Sequence, residues 1–283
     1  MTTRPDDHKT TEDLMSKSKT KPTERVLVTG ASTGIGEGLA RRFARAGHDL
    51  VLVARSADKL KALAGELTER HGVKAVAIAA DLAKDGEVAR LAAALKRRRL
   101  DVDILVNNAG INHQGNFSKM APAAHQDLIR LNIAAATDML AHFIPPMVAR
   151  GHGRVLNVAS TSSFVPVPFM ATYAASKAYL LSLTESLCEE LKGTGVTLTA
   201  LCPGVTATPM MDTIGASNAK FVKLIAFTVL DVEEVAEAGY DACMRGEVIR
   251  IPGKVNLVTT ISSRAVPKWV SRRVYGFIGR MGN

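Results

Sequence analysis

The stretch RVLVTGASTGIGEGLARRFARAG, residues 25–47, decides the reading of the fold. An apolar β-type run leads straight into Gly30, Gly34 and Gly36, and these glycines open a helical pattern. Glycine here lets the chain turn sharply and lets the backbone approach a pyrophosphate, whose charge the positive end of the helix stabilises. The spacing is GxxxGxG rather than GxGxxG, and no Lys-Ser/Thr pair follows as in a Walker loop. Taken alone, such a loop could equally be a strand-to-helix turn that holds no ligand. Its place after the first of a series of buried strands argues against that.

Working outward, β-type runs and helical patterns alternate to the end of the chain. DLVLVAR precedes ADKLKALAGELTERHG, KAVAIAADL precedes GEVARLAAALKRR, and VDILVNNAG precedes a long helical stretch over about 122–150. RVLNVAS leads to a helix beginning near Tyr173, VTLTALCPG to a helix over about 231–244, and EVIRIPG reads as a last strand. The strands are continuous apolar runs, the mark of strands buried on both faces of a parallel sheet. Strand, helix, strand repetition predicts an α/β Rossmann fold, a doubly wound parallel sheet of about seven strands with helices on both faces. One catalytic domain is expected over residues 24–255. Residues 1–23, of mixed charge and rich in Thr, Ser and Lys, are expected to form a disordered tail, and residues 256–283 a basic amphipathic extension.

Composition narrows the function classes. At 283 residues and 47% hydrophobic, the chain can bury a sizeable core. No apolar run approaches the roughly 18 residues of a membrane-spanning helix, and the N-terminus lacks the apolar centre of a signal peptide. Cys188, Cys202 and Cys243 are scattered among apolar neighbours and read as free thiols of a reducing, cytoplasmic protein. The seven histidines show no ligand spacing, so no metal is predicted. The net charge is +9, but from Val248 to Asn283 there are seven basic residues and no acidic one. Elsewhere 29 basic residues stand against 27 acidic ones, too even a balance for a nucleic-acid-binding body.

TGASTGIG at the first loop, NNAG at 107–110, Ser160, YAASK at 173–177 and PGVTATP at 203–209 stand in the order and spacing of one family. On these five motifs, over about residues 25–255, the chain resembles the short-chain dehydrogenases/reductases. The resemblance implies a nicotinamide dinucleotide cradled by Gly30, Ser32, Thr33, Gly34, Ile35 and Gly36, with Asp81 and Leu82, closing the third strand, at the adenine. Asn108, Ala109 and Gly110 would line the cofactor from the fourth strand. Beyond the sixth strand Pro203, Gly204, Thr206 and Thr208 would meet the nicotinamide carboxamide and phosphates, fixing the ring so that one face delivers the pro-S hydride.

The end of the second strand holds Ala54 and Arg55, where NAD-binding chains place an acid for the ribose 2′-hydroxyl. Arg55 would instead attract a 2′-phosphate through charge-assisted bonds, so NADP(H) is expected over NAD(H). Thr33 stands where some NADP-using relatives carry a basic residue.

Tyr173 and Lys177, four apart on a helix, share one face. A phenol with a pKa near 10 is a poor acid or base at neutral pH, and a neighbouring ammonium is expected to lower it. Lowering it by about 3 corresponds to roughly 4 kcal/mol, a share Lys177 would supply together with the positive ring of the oxidised cofactor. Tyr173 is thus the candidate acid/base, and both residues also border the cofactor. Among the hydroxyls of STSS, residue type alone does not choose. The thirteen-residue offset of the family selects Ser160, which would hydrogen-bond the substrate oxygen. By the same resemblance Asn132 would hold a water in a proton relay to Lys177; as a residue alone it could simply cap a helix kink.

Phe164, Val165, Val167, Phe169, Met210 and Met211 offer an apolar pocket lining without a carboxylate- or phosphate-binding cluster. A medium or large hydrophobic ketone or alcohol is expected, steroid-like or fatty, although each of these side chains could equally pack a core or an interface. A homo-oligomer, dimer or tetramer, is expected. In the tail Val270, Val274, Phe277, Ile278 and Met281 fall on one helical face opposite Lys268 and Arg272. A solvated or subunit-covering tail is favoured there over contact with an anionic membrane, because one short amphipathic helix binds only marginally and Gly276 and Gly279 weaken it. Two rival functions are an epimerase or dehydratase of the same fold, which the loop spacing and short C-terminal region disfavour, and a non-catalytic NADP-binding sensor or scaffold.

Overall fold

A computed structural model of the chain describes residues 23–209 and 229–280. The run Val26–Val28 is fully buried, as are Val51–Val53 and Ile104–Val106, because both faces of the strands that carry them are covered. These are the centres of β1 (Arg25–Thr29), β2 (Asp49–Ala54) and β4 (Ile104–Asn107). With β3 (Ala75–Ala79), β5 (Gly153–Val158), β6 (Val196–Leu201) and the two-residue β7 (Ile249–Arg250) they form a seven-stranded sheet, ordered β3-β2-β1-β4-β5-β6-β7. Every pairing is parallel; Val28, for example, lies between Leu52 and Val106.

Helices cover both faces. On one side α1 (Gly34–Arg45), α2 (Ala57–His71) and α7 (Val232–Arg245) bury Leu39, Phe43, Leu60, Leu67 and Val235 against the sheet. On the other, α3 (Glu87–Arg97) and α5 (Ala136–Arg150) bury Leu91, Leu95, Met139, Phe143 and Met147. The strand order reverses direction between β1 and β4, and in doubly wound sheets such a switch point opens a crevice at the carboxyl ends of the strands.

The structure differs from the sequence-based expectation in several places. The helical stretch over 122–150 is three pieces: α4 (Pro122–Ile129), a π-helical segment (Arg130–Ala135) and α5. Asp81 and Leu82 lie in the turn beyond β3, which ends at Ala79. The C-terminal extension is two helices, α8 (Lys254–Ala265) and α9 (Lys268–Arg280), separated at Val266-Pro267, where proline cannot continue the hydrogen-bond ladder. Residues 1–22 of the expected tail, and Met210 and Met211, lie outside the described residues.

Candidate active site

The glycine loop is locked to the NNAG segment by a short polar network. The Thr29 hydroxyl accepts from the backbone amides of Asn108 (2.9 Å) and Ala109 (3.0 Å). The Asn108 side-chain amide donates back to the carbonyls of Thr29 (2.9 Å) and Gly30 (3.3 Å). That closeness explains two glycines. Gly30 has φ +65°, and a Cβ on it would lie 2.7 Å from Asn108 Nδ2. A Cβ on Gly36 would lie 2.2 Å from the Gly30 carbonyl oxygen.

At the start of α1 the N-cap residue Thr33 makes no side-chain capping bond, so the first amides of the helix stay available to an anion. They border a groove of about 250 Å³ over the switch point. Its walls include Gly30, Ser32, Thr33, Gly34, Ile35, Arg55, Asp81, Leu82, Asn108, Ala109, Gly110 and Thr208. An uncapped helix end, close-packed glycines and a cation in one elongated groove fit a dinucleotide. Arg55 is exposed at the end of β2 and makes no ion pair among the described residues. Lys84 and Arg90 share a shallow depression with it, although Arg90 is already paired with Glu87.

Pro203, Gly204 and Thr206 are not among the residues lining this groove. The Pro203 carbonyl accepts from the Thr161 amide (2.9 Å) and lies 3.5 Å from Ser160 Oγ. Gly204 leaves room for Asn256 of α8, whose Nδ2 would be 2.6 Å from a Cβ there. Buried Thr206 forms an isolated bridge with Leu230, and its hydroxyl donates to the Gly204 carbonyl (3.2 Å).

Beyond Gly110 the polar side chains converge. A Cβ on Gly110 would lie 3.3 Å from Asn132 Oδ1 and 3.6 Å from Lys177 Nζ. Lys177 and Tyr173 both belong to α6 (Ala171–Glu190), and Lys177 Nζ donates to the Val158 carbonyl (2.7 Å) at the end of β5. Asn132, turned inward by the π-helical segment, accepts from the Ile111 amide (2.9 Å) and donates to the Ile111 carbonyl (2.9 Å) and to Ser176 Oγ (3.2 Å). Ser176 in turn donates to the Tyr173 carbonyl (2.7 Å). Asn132 is therefore a tie between the loop after β4 and α6, more than a kink cap.

Ser160 accepts from the Ser162 amide (3.1 Å), and its side chain stands close enough to the Tyr173 phenol to draw its pKa down. That contact separates it from Ser162 and Ser163, whose hydroxyls are buried without a partner among the described residues. Burial pushes the Tyr173 phenol above its ordinary pKa, with Ser160 acting in the opposite direction. Burial also pushes Lys177 down to about 8. In the protein without cofactor the phenol is therefore not pulled down: desolvation outweighs the influence of Ser160, and the Lys177 ammonium sits 5.8 Å from the centre of the Tyr173 ring.

The apolar residues expected at the substrate separate. Phe164 packs onto the small core cluster around Ala159, Leu181 and Ala200. Val165 and Val167 are partly exposed. Phe169, held at φ +66°, lines a small hollow with residues the sequence did not single out: His113, Phe117, Met120, His125 and Leu128. The Phe169 carbonyl accepts from the Gly115 amide (2.9 Å), and His125 Nδ1 lies 2.8 Å from the hydroxyl of Thr172, the residue before Tyr173. Ile111, Leu131 and Pro209 on the groove wall were also missed, being apolar residues without a motif of their own. Ser176 carried one usable signal, its place three residues after Tyr173.

A groove at the switch point of a parallel sheet, with Gly110 on its wall beside Lys177 of the helix that also carries Tyr173, has the plan of a nicotinamide-dependent oxidoreductase. The comparisons place it more narrowly. The sequence model of the short chain dehydrogenase family matches residues 24–219, and the chain belongs to that family. It is 40% identical over 193 residues to the oxidoreductase UcpA of Salmonella typhimurium, covering 68% of this chain and 73% of that protein. A short-chain dehydrogenase from Sphingobium yanoikuyae, solved in complex with NADPH, superimposes with a TM-score of 0.75 at 35% identity, over 86% of this chain and 94% of that one. The bulky-bulky ketone specific alcohol dehydrogenase from Comamonas testosteroni gives 0.73 at 31% identity, over 87% and 93%. The protein is an NAD(P)-dependent dehydrogenase acting on CH–OH groups.

Proposed function

We propose that the protein is an NADPH-preferring reductase of bulky, apolar ketones, working reversibly on the matching alcohols, with Tyr173 as its acid/base. What supports this is Lys177, beside Gly110 of the groove wall and one helical turn after Tyr173, on whose phenol Ser160 acts, together with Arg55 on the same groove, free of ion pairs among the described residues.

The chain's own groups divide the work. The uncapped start of α1 and the amides around Gly34 would hold the pyrophosphate, and Arg55 a 2′-phosphate. The chemistry a reduced nicotinamide dinucleotide would supply there is hydride donation to a carbonyl carbon. Ser160 Oγ donates a hydrogen bond to the carbonyl oxygen and keeps it in place as negative charge grows. Tyr173, protonated at neutral pH by its burial, gives its phenolic proton to that oxygen. Lys177, fixed on the Val158 carbonyl, stabilises the phenolate left behind, and its own lowered pKa eases proton return to Tyr173. Asn132 keeps the loop after β4 and α6 in register, so that Gly110 and Lys177 remain adjacent.

Phe169 and the apolar side chains around it support an apolar substrate, and the Comamonas relative is described as specific for bulky-bulky ketones. The test is a ketone panel graded in size, followed by cofactor absorbance with NADPH and with NADH. Preferential turnover of bulky aryl or alicyclic ketones with NADPH supports the reading. Turnover confined to small polar ketones, or equal use of NADH, contradicts it.

A further inference from the structure

The last two helices are amphipathic the wrong way round for a soluble protein. In α8 the buried residues are Asn256 (7% exposed) and Thr260 (5%), one turn apart, while Val258 (62%) and Ile261 (58%) face outward with Val255 and Leu257. Among the described side chains of α9, Ser271 is buried, and Trp269, Val274 and Phe277 are exposed. Of the eleven large hydrophobic residues exposed among the described residues, eight lie between Val255 and Phe277. Helices of a soluble monomer bury their apolar stripe; a concentrated set of outward apolar side chains marks a surface that is covered in use.

The charge of the stretch selects what covers it. From Val248 to Asn283 there are seven cations and no carboxylate. Arg272, Arg273 and Arg280 are exposed on α9, and Arg273 stacks on Trp269, its guanidinium carbon 5.6 Å from the ring centre. A second copy of the chain meeting this face about a two-fold axis would set cation against cation, with no acid in the stretch to pair them. An anionic bilayer accepts both components: apolar side chains enter the acyl boundary, Trp269 sits at the interface, and the arginines meet lipid phosphates.

We infer that α8 and α9 dock the enzyme on an anionic lipid surface. Two helices take part, not the single one read from the sequence, so the marginal binding of one short helix no longer weighs against membrane contact. Because Asn256 of α8 packs on Gly204, beside Ser160, the docked face lies close to the reaction centre. An apolar ketone dissolved in the bilayer would then reach the enzyme along that surface.

Trp269 is the only tryptophan in the chain, so the native protein reports on its own docking. Full-length protein is titrated with vesicles of phosphatidylcholine alone and of phosphatidylcholine with phosphatidylglycerol. The emission is expected to shift to the blue with the anionic vesicles only, to be quenched by brominated acyl chains and to revert in high salt. Replacing Arg272, Arg273 and Arg280 together by Gln should weaken partitioning roughly a hundredfold, while turnover of a water-soluble ketone is retained as a check on folding. Equal partitioning onto both lipids, an unchanged spectrum with the anionic vesicles, or a lipid-free blue shift that tracks protein concentration and a doubled mass would each overturn the inference. The last outcome would assign the face to a second copy instead.

Discussion

The crevice at the carboxyl edge of the sheet has two ends built on different principles. Over β1, β2 and β4, polar side chains serve the backbone: Thr29 and Asn108 satisfy one another and the glycine loop, and Arg55 is left exposed, with no ion pair among the described residues. Over β4, β5 and β6, ionisable side chains are buried and forced toward neutrality, the Tyr173 phenol upward and the Lys177 ammonium downward. On the proposed function the first end binds, with its strain removed by glycine, and the second reacts, at some expense to stability. Breaking either end should therefore leave different signatures.

The largest effect is expected at the reactive end. Tyr173→Phe removes the proton donor and should lower ketone-dependent NADPH oxidation by about 10³-fold or more, with NADPH affinity measured by fluorescence titration unchanged. Loss of affinity would merge the two ends into one. At the binding end, Gly36→Ala places a methyl 2.2 Å from the Gly30 oxygen and must displace the loop. Thermal or urea melts should record a loss of roughly 1–3 kcal/mol, together with weakened binding of both NADPH and NADH.

Arg55→Ala should act on one cofactor only, weakening NADPH roughly tenfold to a hundredfold and leaving NADH as it was. Parallel titrations with the two nucleotides decide this. The smallest effect has the opposite sign. The folded-state pKa of Lys177, about 8, lies below its ordinary value of 10.5, so the folded chain binds fewer protons than the unfolded one between those pH values. The resulting penalty is fully present below about pH 8, and this residue's contribution to stability becomes more favourable as pH rises through that window. Lys177→Met should thus stabilise the protein at neutral pH by roughly 1–2 kcal/mol, less than the full penalty because the Val158 carbonyl loses its donor. The gain should shrink by about pH 9 to 10, as urea melts at the two pH values would record.

The binding end was legible in the sequence because its constraints are local. Gly30, Gly34 and Gly36 announce themselves by spacing, and Arg55 by standing where an acid was expected. Parallel strands likewise show as unbroken apolar runs. The reactive end was legible only in part. Tyr173 and Lys177 share a helical turn, but the balance between desolvation and charge depends on how deeply that turn is buried, which four letters of spacing do not encode. For the protein without cofactor, burial raises the phenol, whereas the expected drop also counted on the positive ring of the oxidised cofactor. Asn132 could be read as a kink cap or a relay member. Its partners Ile111 and Ser176 are 21 and 44 residues away, and only the folded chain brings them together. The substrate side was least legible: His113, His125 and Phe117 carry no pattern, and Phe164, partly buried, packs against a small core cluster. At the C-terminus a helical face was visible, but not that its polar residues turn inward.

The central claim is that the reactive end uses what the binding end holds to reduce a carbonyl. NADPH deuterated on the transferring face of C4, incubated with the protein and a bulky ketone, tests it in one mass spectrum. The account predicts an alcohol carrying one deuterium on the carbinol carbon, in amounts equal to the cofactor consumed. Cofactor bound with no deuterated alcohol formed, or consumed without it, would contradict the account.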